Sequence, residues 1–316
     1  MMQTILIGLG AGAAAALLFA TVATGSLLSI VLFYIAPLPI MIAALGWSHI
    51  AGLIAALSAG AVLAAIFGWI FLLAFLAGTG LPAWWLGYLT MLARPAGGTA
   101  TTPQLEWYPS GRLLLWAAGF AALVVILGIL NLGLDYEGFR TAFRAALERV
   151  IKVNPTSSGR ETADAVLDFL VVAIPPAAAV LATITNVLNL WLAGKVVSFS
   201  GRLKRPWPDL SSIEFPRSAG VVLIVLVLLN FAGGLIGFIA GIASAALIMA
   251  YGLLGFAVLH AITRSIKHRA LILSAAYASV LVFGWPIFAL CLLGIADQFL
   301  NLRARTAQRR GPPAIT

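Results

Sequence analysis

Residues 218–263 read SAGVVLIVLVLLNFAGGLIGFIAGIASAALIMAYGLLGFAVLHAIT, without a single Asp, Glu, Lys or Arg. As one α-helix this stretch would be about 69 Å long at 1.5 Å per residue, more than twice a hydrocarbon layer of about 30 Å. It must therefore fold into two membrane spans, with the turn at Gly233-Gly234 or near Gly241. A run this long and this free of charge suits a bilayer, where every backbone polar group is satisfied inside the helix itself.

The rest of the 316-residue chain has the same character. Hydrophobic residues make up 62% and charged residues 9%, where a soluble domain carries about 25% charge. Mean hydropathy is +1.06. Further apolar runs cover 4–23, 27–45, 49–78, 112–132, 169–196 and 270–299. A shorter piece, Leu81 to Ala93, holds Trp84, Trp85 and Tyr88 and reads as interfacial or re-entrant. The fold class is thus all-α: a polytopic integral membrane helical bundle of about eight transmembrane helices with one amphipathic interfacial segment. In domain terms, 1–132 is an N-terminal transmembrane bundle and 133–168 the amphipathic segment. A C-terminal bundle takes 169–302, and 303–316 is a basic tail whose last residues, from Gly311, read as frayed. Met1 to Ile5 has no basic residue, so the first span reads as retained rather than as a cleaved signal peptide.

The formal net charge of +9 lies in the loops between spans, where Lys and Arg mark the cytoplasmic side. No basic stripe interleaved with aromatics is present, so nucleic acid is not an expected partner. Cys291 stands alone and excludes a disulfide within the chain. His49, His260 and His268 lack metal-ligand spacing, so neither a metal nor a cofactor is expected. The runs Arg202-Lys204-Arg205, Arg264-Lys267-Arg269 and Arg303-Arg305-Arg309-Arg310 all favour the cytoplasm. That is consistent only if 270–299 is a hairpin breaking at Gly284-Trp285-Pro286, because a single crossing would place the last run outside.

In the middle segment Phe139, Phe143, Leu147, Val150 and Ile151 fall on one helical face, with Arg140, Arg144, Glu148 and Lys152 opposite. That pattern predicts a helix lying on the bilayer, ended by Asn154-Pro155. Ser158 followed by Glu161 is a capping-box spacing that opens the next helix. Glu161, Asp164 and Asp168 then share a face directed at water or headgroups. Pro37 and Pro39 interrupt the second span, and Pro175-Pro176 should kink a later one. Such breaks line binding cavities in some transporters and are packing kinks in many other membrane helices. Asp297 lies near a helix C-terminus, where its charge opposes the dipole, so Arg303 or Arg305 should neutralise it.

Polar residues inside spans are the candidate ligand contacts: Asn186, Asn189 and Thr185 on one helix, Asn230 and His260 near the ends of others, with Asn131 at a further end. They form either a shared cavity for a small ligand or interhelical hydrogen bonds of about 0.6 kcal/mol each. Small residues at four-residue spacing form smooth grooves at Gly8, Gly12, Ala16, Ala20, Thr24, at Gly52, Ala56, Gly60, Ala64, Gly68 and at Gly233, Gly237, Gly241, Ala245. Most serve packing within the bundle, and the first is the candidate for docking another membrane protein.

The strings APLPIMIAALGW (36–47), LLGFAVLHAITRS (253–265) and LLGIADQFLNLRAR (292–305) resemble the YybS-like family of predicted bacterial membrane proteins, over most of the chain. The resemblance implies a multi-pass protein of the bacterial inner membrane, grouped with the substrate-capturing subunits of energy-coupling-factor transporters. Those subunits dock through a small-residue stripe on the first helix, which Gly8, Gly12, Ala16 and Ala20 would match. They are shorter, with about six spans. The segment 133–168 departs from their plan, and vitamin binding does not carry over. The expected function is a non-enzymatic, transporter-like component that binds a small solute or docks onto a partner subunit. No Walker A sequence is present, so ATP-driven work would need a separate subunit. The rival expectation is a scaffold for envelope or division machinery.

Overall fold

The computed structural model describes residues 1–99, 102–151 and 160–308. The stop at Asn154-Pro155, Lys152, Ser158 of the capping box, Arg309, Arg310 and the tail from Gly311 lie outside the described residues. Helix dominates, as the composition requires. Seven helical stretches among the described residues are long and apolar enough to cross a membrane: Met2–Thr24, Leu27–Gly46, His49–Phe67, Trp69–Thr90, Ser110–Leu132, Ala163–Phe199 and Gly234–Ile262. Three shorter apolar helices accompany them, at Arg217–Asn230, Arg269–Phe283 and Ile287–Leu300. The chain divides into two compact units, Met1–Phe120 with Thr183–Pro208 and Ala121–Ala182 with Asp209–Thr316.

In the first unit α1 (Met2–Ala20) is followed by α2 (Leu27–Ile35) and α3 (Pro37–Gly46). The proline break falls where the sequence puts it. Ala36 closes a tight turn onto the Phe33 carbonyl, and Pro37 opens α3 at a position where a missing N–H leaves nothing unpaired. Next comes α4 (His49–Phe67), capped by the Ser48 hydroxyl on the Ala51 N–H. Its small side chains let neighbours approach on two sides. A Cβ on Gly8 of α1 would lie 2.7 Å from Ile54, and one on Gly12 would lie 2.7 Å from the Ala55 carbonyl oxygen. On another side, a Cβ on Gly52 would sit 2.7 Å from that of Ala44 in α3.

The run 49–78, expected as one span, is divided at Gly68. That residue has φ +97°, a left-handed value that only glycine adopts readily, and α4 ends there. The chain then makes a new span from α5 (Trp69–Phe75), a π turn (Leu76–Gly80) and α6 (Leu81–Thr90). The aromatic piece expected to stand alone is the second half of this span. Hydropathy is continuous across Gly68, so no polar residue marked the turn. A two-stranded antiparallel hairpin comes next, β1 (Ala93–Thr99) with β2 (Thr102–Trp107), pairing Ala93 with Trp107 and Arg94 with Glu106. The all-helical expectation did not include it. Beyond it, α7 (Ser110–Leu132) leads to α8 (Tyr136–Ile151) and α9 (Arg160–Phe199). The last of these is 40 residues long and remains helical through Pro175-Pro176.

In the second unit α8 is the amphipathic helix. Its Phe139 is buried, stacked on Phe143 and 5.2 Å from the ring of Phe238. Arg144 holds Asp164 at 2.5 Å and Asp168 at 2.7 Å, and Arg140 reaches Asp168 at 3.2 Å. The acidic face expected to meet water or headgroups is therefore paired with α8 at these two positions, because the arginines opposite the apolar face of α8 converge on it. Further along, α10 (Arg217–Asn230) and α11 (Gly234–Ile262) split the opening stretch of the sequence at Gly233 and Gly234, with φ +71° and +58°. The core of this unit lies on α11, where Tyr251, Ile242, Leu254 and Val258 are fully buried. Gly255 touches the backbone of Leu290, so no side chain fits between α11 and that segment.

The final apolar run forms α12 (Arg269–Phe283) and α13 (Ile287–Leu300), separated at Gly284 with φ +72°. Then α14 (Leu302–Gln308) continues the chain. Asp297 is paired with Arg303 at 2.7 Å, as its position near a helix end required. The same arginine donates to the carbonyls of Ser211 and Ile213 at 2.9 Å each, while Arg264 pairs with Asp209 at 2.8 Å. One short segment, 209–213, thus binds both the 264 run and the 303 run, which places them at the same end of this unit. Helices α12 and α13 must go out and return, as the hairpin expectation held.

Candidate functional site

The expected ligand residues are divided between the two units. In the first, the Asn189 amide donates to the Tyr34 carbonyl and to the Thr185 carbonyl, both at 2.8 Å. Tyr34 belongs to the last turn of α2, just before Pro37 and Pro39 remove two backbone donors. Asn189 is 3% exposed and supplies a donor at that break. Its Oδ1 has no hydrogen-bond partner among the described residues. Asn186 donates to the Ala117 carbonyl at a longer 3.4 Å. In the second unit, a Cβ on Gly241 would lie 2.7 Å from Asn230 Oδ1, while His260 Nε2 lies 3.0 Å from the Tyr277 hydroxyl. Gly241 and His260 are about 28 Å apart along α11 at 1.5 Å per residue. The asparagines of α9 bind backbone, while Asn230 and His260 lie far apart along the second unit.

The docking stripe has a plain fate. Gly8, Gly12 and Ala16 are buried, with the two glycines against α4, and Ala20 is half-buried. The face offered to a partner is filled by a helix of the same chain, because α4 carries a matching set of alanines and glycines.

A cleft that the sequence did not single out opens in the first unit. It has a volume of about 400 Å³ and is lined at its polar points by Trp47, Ser48, His49, Tyr88 and Lys204. Local structure explains the convergence. The chain turns from α3 into α4 at Trp47–Ser48, which leaves the N-terminus of α4 and its positive dipole end at the cleft. The C-terminal turn of α6 brings Tyr88, whose ring lies 5.2 Å from that of His49 in an edge-on contact. Trp84 Nε1 donates to the His49 carbonyl at 3.1 Å and fixes α6 against the start of α4. Lys204 arrives on the segment just beyond α9.

Around this cleft the electrostatics are one-sided. Arg202 stacks over the Trp47 ring at 4.6 Å, and Lys195 lies over Trp207 at 4.1 Å. Arg205 is 8% exposed, donating to the Thr90 carbonyl and the Ser110 hydroxyl at 3.1 Å each. Its burial pushes the guanidinium below its ordinary pKa. The Thr90 carbonyl is a helix C-terminal acceptor, which favours a cation. The first unit contains one carboxylate, Glu106, and Arg94 already holds it at 2.8 Å. Lys204 and Arg202 make no ion pair among the described residues. Trp47 Nε1 is buried without an acceptor among them. The cleft therefore offers an ammonium, a hydroxyl and an imidazole, with no acid among its lining residues.

Every one of these residues was visible singly: His49 as a lone histidine, Trp47 at the end of a quoted string, Lys204 in a basic run. Nothing in their spacing links positions 47–49, 88 and 204. Only the packing of α3, α4 and α6 brings them together.

The model of the family described as Predicted membrane protein (DUF2232) matches residues 13–298, and the chain belongs to that family. It is the YybS-like family that the three quoted strings resemble. No curated protein and no solved structure matches the chain.

Proposed function

Taking that membership as premise, we propose that the protein is a transporter-like membrane component that binds a small solute in the cleft of its first unit. The observation that carries this reading is the cleft itself. It combines a cavity of about 400 Å³ with Trp47, His49, Tyr88 and Lys204 at one end of the bundle. Concave sites with aromatic walls and a few convergent polar groups are the ordinary form of small-molecule sites. The basic residues beside the cleft favour the cytoplasmic face of a bacterial inner membrane for that end, by the positive-inside rule. In this reading the protein is a binding component rather than an enzyme, and a separate subunit drives any uphill step. A coupling subunit would have to dock away from Gly8 and Gly12, since α4 already occupies that face.

Native mass spectrometry of protein released gently from its own membranes tests the reading. A bound small molecule is expected on the wild-type chain and is expected to fall several-fold in occupancy with His49→Ala. An empty protein accompanied by envelope proteins would replace it with the scaffold reading.

A further inference from the structure

The cleft has a charge character that defines its ligand, and this step rests on the solute-binding reading above. Three cations, Arg202, Lys204 and Arg205, come after α9 within four positions of sequence, and the whole first unit has one carboxylate to set against them. That carboxylate, Glu106, is already held by Arg94 in the β-hairpin. Arg205 is satisfied by neutral acceptors and buried, so its charge is fixed in place without a counter-ion. An uncompensated charge in a low-dielectric setting is costly until an anion approaches. Lys204 lines the cavity directly, and Arg202 covers the ring of the tryptophan that also lines it. The start of α4 adds its dipole from the same wall, with Ser48 and His49 as its first residues.

We infer that this cleft binds a phosphate-bearing anion, with Lys204 as its direct contact and Arg202 and Arg205 supplying the surrounding positive potential. The aromatic wall of Trp47, His49 and Tyr88 suits an organic body attached to the phosphate. Two sources offer this chemistry: an anionic lipid headgroup entering from the membrane edge, and a soluble phosphorylated solute entering from the aqueous side.

The test uses the full chain in nanodiscs of zwitterionic phosphatidylcholine, with thermal unfolding as the readout. One arm titrates inorganic phosphate against chloride at equal ionic strength. The other replaces part of the lipid with phosphatidylglycerol. A raised melting temperature in the phosphate arm assigns a soluble source; in the lipid arm, a headgroup; in both, the shared chemistry. Lys204→Gln is expected to weaken the response about tenfold, the size of one charge-assisted hydrogen bond. Arg112→Gln, an exposed cation that does not line the cleft, is expected to leave the response unchanged. No shift beyond chloride in either arm, or an equal loss in Lys204→Gln and Arg112→Gln, would overturn the inference. A neutral molecule retained by the wild type and lost with His49→Ala would also overturn it, while leaving the solute-binding reading intact.

Discussion

The cations that join segments of the second unit and those that follow α9 in the first are held in opposite ways. In the second, Arg144 is held by Asp164 and Asp168, Arg264 by Asp209, and Arg303 by Asp297. Each pair ties one segment to another: α8 to α9, two loops to each other, or the end of α13 to the start of α14. In the first unit Arg202, Lys204 and Arg205 have aromatic rings, a carbonyl, a hydroxyl or open cleft around them, and no acid. A paired cation in a half-buried place is a structural joint. An unpaired one beside a cavity is available to something that arrives later. Removing charges in the second unit should therefore change stability, whereas removing Lys204 in the first should change binding.

The largest effect should come from Asp297→Ala. Asp297 is 4% exposed, and its partner Arg303 also holds the carbonyls of Ser211 and Ile213. Deleting the acid leaves a largely buried guanidinium with only the exposed Glu214 at 3.9 Å as counter-charge, which costs up to about 3–5 kcal/mol in comparable cases. A strongly lowered melting temperature in detergent is expected, with Lys204→Ala within about 0.5 kcal/mol of wild type. Equal melting temperatures for Asp297→Ala and Lys204→Ala would erase the distinction between the units.

A second variant tests the first unit by its packing rather than its charge. Gly12→Leu forces a side chain into the Ala55 and Ser58 contact of α4. Overfilling a packed site costs about 1–3 kcal/mol, so the melting temperature should fall while any set of co-purifying proteins stays the same. A normal melt with a lost partner would mean that the stripe faces outward after all.

The legibility of each feature in the sequence depends on the range over which its signal acts. Apolar helices are a local signal and most of them came through, as did the amphipathic α8, the proline break at Pro37 and the need for Asp297 to find a cation. The two-glycine turn at 233–234 was one of two options, and backbone with positive φ decided it. Gly68 read as the last member of a packing stripe rather than as a turn, because a turn made by one glycine inside apolar chain leaves no polar mark. The pairing of Asp164 and Asp168 with Arg144 depends on how α8 meets α9, which spacing within one helix does not encode. The cleft was the least legible feature: it joins positions 47–49 to 88 and 204, and no periodicity spans those separations. Asn189 was visible, and so was the proline break, but their meeting through the Tyr34 carbonyl needed the fold.

The smallest expected effect concerns Asp209, a carboxylate of the second unit that is paired at an exposed loop. Its hydrogen bonds from Ser211, then the Arg264 guanidinium, lower its pKa to about 2 from the usual carboxylate range. A depressed folded-state pKa stabilises the folded chain above the unfolded value of about 3.9, and the contribution is lost as pH falls through about 2. From pH 8 down to about 4 the contact should therefore persist unchanged. Both partners are half exposed, so the free energy at stake is under about 1 kcal/mol. Asp209→Asn should accordingly leave the melting temperature almost unmoved, yet loosen the segment that ties the 264 run to the 303 run. Hydrogen exchange at the backbone of residues 209–213 measures this directly. A lower protection factor in the variant at pH 7, matched by the wild type only as pH falls through about 2, is the expected result. If Asp209 instead titrates at an ordinary value with no change in exchange, the exposed pair is ornamental, and pairing in the second unit matters only where it is buried, at Asp297 and Arg303.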